Sequence, residues 1–345
     1  MSDRARPAKY LLLFTIAAIL LAAAVVSLTV GRYSMPVGTI FELIALRLSG
    51  SPIEGALVQA NAVLFALRIP RVLLAIAVGA GLSLSGAAYQ SMFQNPMVSQ
   101  DILGVTHGAG VGAAVGILLN LPTLGVHMMS FCVGIGAVAL VLSIARLVGG
   151  TERGSLTILV LTGMVITFFF QSLTSLTKYV ADTDNKLPEI TFWLMGSFAR
   201  SNSYRNAVIM MAVLVLGATP LFALRWKINV LSFGDEEAKS MGVNVRVIRL
   251  IVIACSTMMT ASAVCLCGTI SWVGLVIPHI IRMIAGPNND VLFPASMLAG
   301  GLFLLIVDNF SRVIVPGELP ISILTSMVGA PIFIYMLFQG RRKLL

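Results

Sequence analysis

Apolar residues run through this chain in stretches of roughly twenty, broken by short polar or glycine-rich segments. Such runs lie near 11–30, 70–93, 102–119, 124–148, 155–180, 205–224, 246–270, 273–285, 291–313 and 319–339. An α-helix needs about 20 apolar residues to cross the hydrocarbon layer of a bilayer. The pattern therefore predicts an all-α, polytopic membrane protein of about ten transmembrane helices, with one transmembrane domain over residues 1–345. The third and eighth runs are short and rich in Gly, Pro or polar residues, which predicts partial or tilted helices. The ten-residue alternating strands of an outer-membrane barrel are absent. Residues 31–69 form an outer (periplasmic) segment in this reading, in which Ile40, Leu43, Ile44 and Leu46 make the apolar stripe of a short surface helix.

Composition narrows the class. Apolar residues make up 58% of the chain and charged residues 11%, against about 25% charged in soluble domains. The net charge of +9 is gathered beside span ends. Arg4, Arg6 and Lys9 precede the first run, Arg341, Arg342 and Lys343 follow the last, and Arg225, Lys227, Lys239, Arg246 and Arg249 crowd the loop 225–245. The positive-inside tendency puts both termini and that loop in the cytoplasm, so the charge reports topology and argues against a nucleic-acid partner. The expected location is a bacterial or archaeal cytoplasmic (inner) membrane. The run from Leu11 to Val30 is long for a signal peptide and lacks a small-residue cleavage site, so it reads as a first span. Cys132, Cys255, Cys265 and Cys267 fall inside runs and read as packing residues.

Internal spacing adds detail. Gly86 precedes Pro96 by the same interval as Gly268 precedes Pro278, each near the junction of a long run and a short one. An odd number of spans between the two predicts an inverted internal repeat, a frequent transporter device. Gly104, Gly108, Gly112 and Gly116 recur every fourth residue, which puts missing side chains on one helix face for close packing. The loop Leu231–Gly242 resembles a capped helix outside the membrane. Ser232 is its candidate cap, Asp235, Glu236 and Glu237 fill the first turn, Phe233, Ala238 and Met241 offer an apolar contact, and Gly242 ends it after Lys239. With Gly234 these residues make a candidate docking element.

Polar residues within the runs are the remaining candidates. Thr162, Thr167, Gln171, Ser172 and Ser175 either line a water-filled path or bond back to their own helix. Asp308 and Arg312 stand four apart and can pair across one turn. Arg68 and Arg71 enter the membrane from the outer side, where arginine is less expected. With Arg312 they either snorkel to lipid phosphates or receive acidic groups from a partner. No Gly-x-x-x-x-Gly-Lys-Ser/Thr loop, His-Glu-x-x-His or Gly-x-Gly-Asp motif occurs, so neither ATP binding, a metal site nor membrane proteolysis is expected of this chain.

Several blocks resemble the FecCD family of ABC permeases. They are Arg68-Ile-Pro-Arg71, Ser85-Gly86-Ala87-Ala88-Tyr89-Gln90, Asn95-Pro96 and Asp101-Ile-Leu-Gly104, then Trp193-Leu-Met-Gly196, Leu231-Ser-Phe-Gly234-Asp-Glu-Glu-Ala238, Val273-Gly-Leu-Val-Ile-Pro278-His279-Ile-Ile-Arg282, Glu318-Leu-Pro320 and Gly329-Ala-Pro331. Met97-Val-Ser-Gln100 departs from the Leu-Ala pair common after Asn-Pro. The resemblance implies a type II ABC importer permease that works as two copies around a central path. Its implied partners are a cytoplasmic ATPase dimer carrying ATP and Mg²⁺ and a periplasmic or lipid-anchored binding protein. It further implies that the 231–242 loop couples to the ATPase and that Arg68, Arg71 and Arg312 receive the binding protein. The expected cargo is an iron–siderophore complex, with haem, vitamin B12 or molybdate as alternatives. An ion-driven secondary transporter is the rival class; it would want a buried charge near mid-membrane, and only Asp308, near one end, is available.

Overall fold

A computed structural model describes residues 5–31, 33–149, 155–315 and 317–342. Arg4 and Lys343 lie outside the described residues, as do the side chains of Arg6, Arg341 and Arg342. In chain order the helices are α1 (Ala5–Thr29), α2 (Val37–Ser49), α3 (Ala56–Asn61), a π-helical turn (Ala62–Arg68), α4 (Ile69–Met92), α5 (Val105–Leu118), α6 (Thr123–Gly149) and α7 (Ser155–Val180). There follow α8 (Lys186–Leu194), a 3₁₀ turn (Ala199–Ser201), α9 (Tyr204–Ala223), α10 (Arg225–Leu231), α11 (Asp235–Ser240), α12 (Val245–Cys267), α13 (Val273–Ala285), α14 (Asn289–Ile314) and α15 (Ile321–Arg342).

Among the described residues eight helices are long and apolar enough to cross a membrane. The shorter α5 and α13 stand where the third and eighth runs predicted partial helices. The order of lengths repeats. Helices α4 to α7 have 24, 14, 27 and 26 residues, and α12 to α15 have 23, 13, 26 and 22. The Gly–Pro pairs do not mark equivalent points in that repeat, however. Gly86 lies within α4, whereas Gly268 caps the end of α12 at φ 78°; Pro96 is in a connection and Pro278 is inside α13.

Helices α4, α12 and α14 form the packed centre, and their contacts depend on absent side chains. A Cβ added at Gly79 would lie 2.2 Å from the Gly300 carbonyl oxygen of α14, and one at Gly86 would lie 1.7 Å from that of Gly274 in α13. No other residue fits there, and bare backbones approach closely enough for dispersion to replace the hydrophobic drive that lipid removes. In helices α1, α6, α7 and α15 only 11–28% of the apolar stretch is buried.

The glycine ladder is spent inside the chain. Cβ atoms on Gly108 and Gly112 would meet Ala137 Cβ at 2.6 Å and Met129 O at 2.5 Å, both on α6, and Gly116 faces Val126. Gly104 departs from the expected face. It is the left-handed N-cap of α5 at φ 76°, and it abuts Thr167 of α7. The ladder thus joins α5 to α6 and is no surface for a second copy. On α2 only Ile40 and Leu43 of the expected stripe turn inward, onto Met35, Ala60 and Leu64. Ile44 is exposed beside Phe41 and Leu48.

Candidate functional site

One end of the bundle carries the loop between α9 and α12. Gly234 takes φ 110° and is the N-cap of α11, so the expected Ser232 cap is not used. The Ser232 hydroxyl, two residues ahead of the N-cap position, donates instead to Asn229 O at 2.6 Å. Gly242, at φ 75°, ends the helix as expected. Ala238 is fully buried and anchors α11, while Phe233 (65% exposed) and Met241 (55%) face outward among the exposed Glu236, Glu237 and Lys239. Asp235 and Arg249 pair at 2.6 Å and tie α11 to α12.

The same loop is tied to the spans behind it. Gln94 Nε2, in the α4–α5 connection, donates to Leu231 O. Asn229 Nδ2 donates to Asn288 Oδ1 at 3.0 Å, and Asn289 N donates to Asn229 Oδ1 at 2.9 Å. Arg225 pairs with Asp290 at 2.6 Å. A push on α11 therefore reaches α12 directly, and through α10 it reaches α14 and the connection that follows α4.

The opposite end gathers three arginines. Arg71 is 6% exposed and forks onto two acids. Its Nη2 lies 2.8 Å from Asp308 and 2.9 Å from Glu318. Arg312 pairs with the same fully buried Asp308 at 3.2 Å, which is the one-turn pair expected from sequence. Arg68 donates to the carbonyls of Leu28, Thr29 and Tyr33, and Arg312 also reaches Val30 O. Those include the unpaired carbonyls at the end of α1, where the helix dipole favours a cation. The three line a depression of about 350 Å³ with Tyr33, Leu67 and Glu318.

This geometry revises the reading of these arginines as open forks awaiting a partner's carboxylate. The Arg71 guanidinium is already shared between two acids of its own chain, and Arg68 is committed to carbonyls. What the depression presents is net charge, three guanidinium groups against two carboxylates. Glu318 was missed as a site residue. It stands at φ 57° in the α14–α15 turn, and its pairing with a residue 247 positions away leaves no local signal.

Of the expected path residues, Ser172 and Ser175 donate to carbonyls one turn back at 3.0 and 3.1 Å, the structural alternative. Gln171 is exposed and meets His107 Nε2 at 3.4 Å, and Thr162 and Thr167 are half-buried. The Thr106 hydroxyl, in the first turn of α5, donates to Asp101 in the α4–α5 connection, and burial pushes that carboxyl up to about 6. Among the described residues no cluster of His, Cys, Asp or Glu could hold a metal.

Comparison with known proteins agrees with the architecture. The chain is 39% identical to the molybdate import system permease protein MolB of Haemophilus influenzae over 331 residues, 96% of each chain. It is 38% identical to an iron chelatin transport system permease protein of Helicobacter pylori, covering 81% of this chain and 83% of that one. Among solved structures, a metal-chelate type ABC transporter in an inward-facing conformation superposes with a TM-score of 0.84 at 37% identity, over 95% of this chain and 98% of the other. The profile of the FecCD transport family matches residues 19–339, and with two relatives above 30% identity that each cover more than four-fifths of the chain this multi-pass membrane protein belongs to that family of transport permeases.

Proposed function

We propose that this chain is the permease subunit of an ABC importer carrying a metal chelate, an iron–siderophore complex first, across the inner membrane. The observation that carries the reading is α11. It is a short helix with exposed Phe233 and Met241, bonded through its loop to α12, to α14 and to the connection that follows α4. Such an element has a purpose if a motor seats on it and moves it. A cytoplasmic ATPase dimer supplies that motor together with its ATP and Mg²⁺, and this chain supplies no chemistry. Differential contacts in the outward- and inward-open states then set the direction of transport.

A second copy covers the exposed apolar faces of α7 and α15, among them Phe168, Phe169, Leu176, Tyr335 and Phe338. The path runs between the copies, past Gln171 and His107. A periplasmic or lipid-anchored binding protein delivers cargo over the arginine-lined depression. Molybdate is the second reading for the cargo, supported by the MolB relative that matches over almost its whole length. Uptake into proteoliposomes that needs ATP and a loaded binding protein, and ignores ion gradients, is the expected result. Uptake driven by an ion gradient alone would refute the assignment. Mass spectrometry of the ligand retained by the cognate binding protein decides between iron chelate and molybdate.

A further inference from the structure

The end that bears the coupling loop holds a cavity of about 330 Å³. Its walls come from the last turn of α4, the Gln94–Pro96 turn, α10 and the α13–α14 junction. Asparagine, glutamine and serine side chains supply most of the polar surface, and Arg282 is the only charged residue in the lining.

Arg282 is under-used where it stands. Among the described residues it makes one hydrogen bond, from Nη2 to Ser91 Oγ at 3.1 Å, and that hydroxyl donates onward to Asn289 Oδ1 at 2.8 Å. Its Nε is buried and meets no acceptor among them. Among the described residues no carboxylate pairs with it, in contrast to Arg71 and Arg312 at the other end. The acid next to Asn289, Asp290, is taken by Arg225. Gln90, also in the lining, has a buried Oε1 that no donor reaches.

Arg282 is half-buried with its Nε out of reach of solvent, and a guanidinium partly withdrawn from water with no carboxylate beside it favours an anion in the space it faces. Water can fill the cavity but cannot neutralise that charge. A small oxyanion does both, and one that carries a hydroxyl also donates to an orphaned acceptor such as Gln90 Oε1. Guanidinium matches the oxygen edge of a phosphate-like group better than it matches a sphere.

We propose that this cavity binds a tetrahedral oxyanion of the phosphate class, held by Arg282 at the root of the coupling loop. The site is separate from the cargo path and from the outer depression. Because α4, α10 and the α13–α14 junction all face it, a bound anion holds the coupling loop against the central helices. The anion comes either from solution or from the phosphate monoester of a lipid headgroup.

The test uses the intact permease–ATPase complex, its thermal unfolding followed during titration. Sodium phosphate is compared with sodium chloride at equal ionic strength, and phosphatidic acid with phosphatidylcholine in mixed micelles. The expected result is a saturable rise in Tm with phosphate or with phosphatidic acid, the responding arm naming the source. The rise is lost in Arg282→Gln, which keeps a donor for Ser91, and kept in part in Arg282→Lys, which keeps the charge. Phosphate binding by the ATPase is common to all variants and cancels. An equal response in wild type and Arg282→Gln, or none in either arm, overturns the proposal. A crystal of the wild-type complex soaked in tungstate removes dependence on any variant: anomalous density in the cavity supports the site, and an empty cavity at saturating tungstate overturns it.

Discussion

Arg71 on α4 and Asp308 on α14, separated by 237 positions, form a buried ion pair at 2.8 Å with Asp308 wholly excluded from solvent. Arg312 shares the same carboxylate. Making such a pair contributes little net stability, but removing one partner strands a buried charge and costs about 3–5 kcal/mol. Asp308→Asn is therefore expected to lower the melting temperature of the purified permease sharply. Adding Arg71→Met to that variant should restore part of the loss. A wild-type melting curve for Asp308→Asn would show that the pair does not hold α4 to α14.

The helix crossing at Gly86 makes a sharper demand. Even a methyl group would lie 1.7 Å from the Gly274 carbonyl oxygen, so Gly86→Ala must separate α4 from α13. Overpacking of this kind costs about 1–3 kcal/mol, sometimes more. Gly136 on α6 has nothing within 4 Å of an added Cβ and is the control. Gly136→Ala should be neutral or stabilising by about 0.5–1 kcal/mol, as in an open helix interior. Equal thermal stability of the two variants would contradict the close crossing.

Beside α11, Phe233→Asp changes only an outward-facing contact, and Gly234→Val imposes a β-branched residue on φ 110°. Both variants should reduce ATPase co-purification and transport while the permease melts near the wild-type temperature, with Gly234→Val also losing up to about 1–3 kcal/mol locally. Full ATPase stoichiometry with normal transport in both would remove the coupling role from α11.

Glu318 restrains the charge of the arginine-lined depression, since it neutralises part of Arg71. Its side chain is 31% exposed, so replacing it disturbs the fold less than replacing Asp308 would. Glu318→Gln adds one net positive charge to the depression. Rim charges act chiefly on encounter rate. Stopped-flow association of an acidic binding protein should become faster at low ionic strength, and the gain should vanish at high salt. An unchanged rate at low salt would show that the docking partner does not sense this charge.

Asp101 predicts a pH effect. Its carboxyl is raised from 3.8 to about 6 by burial, opposed by the Thr106 hydrogen bond. The folded state thus holds the proton more tightly than the unfolded state. The ionised carboxylate costs stability above about pH 6, and that cost fades as pH falls from about 6 towards 4. The difference in melting temperature between Asp101→Asn and wild type should accordingly grow between pH 4 and pH 6.5 and then level off. A difference that stays flat across that range would mean that Asp101 ionises as freely as in the unfolded chain.

The sequence by itself determined the class, the long spans, the two short ones at α5 and α13, and the place of the short helix α11. Each rests on a property that neighbouring residues carry alone: the length of an apolar run, the crowding of acids in a first turn, a glycine that ends a helix. The Asp308–Arg312 pair was legible for the same reason, since one helical turn brings the two together. Other matters waited for the tertiary structure. Four glycines at even spacing did not disclose that three of them pack on α6 and the fourth caps α5. Nor did Arg71 disclose its acids, because Asp308 and Glu318 arrive from 237 and 247 positions away. Nothing in the stretch from Val273 to Arg282 showed that no carboxylate among the described residues pairs with Arg282. Which helix fills a glycine notch, and which acid reaches a buried cation, depends on how whole helices cross. Those crossings follow from summed contacts along their entire lengths, and no local stretch of sequence records them.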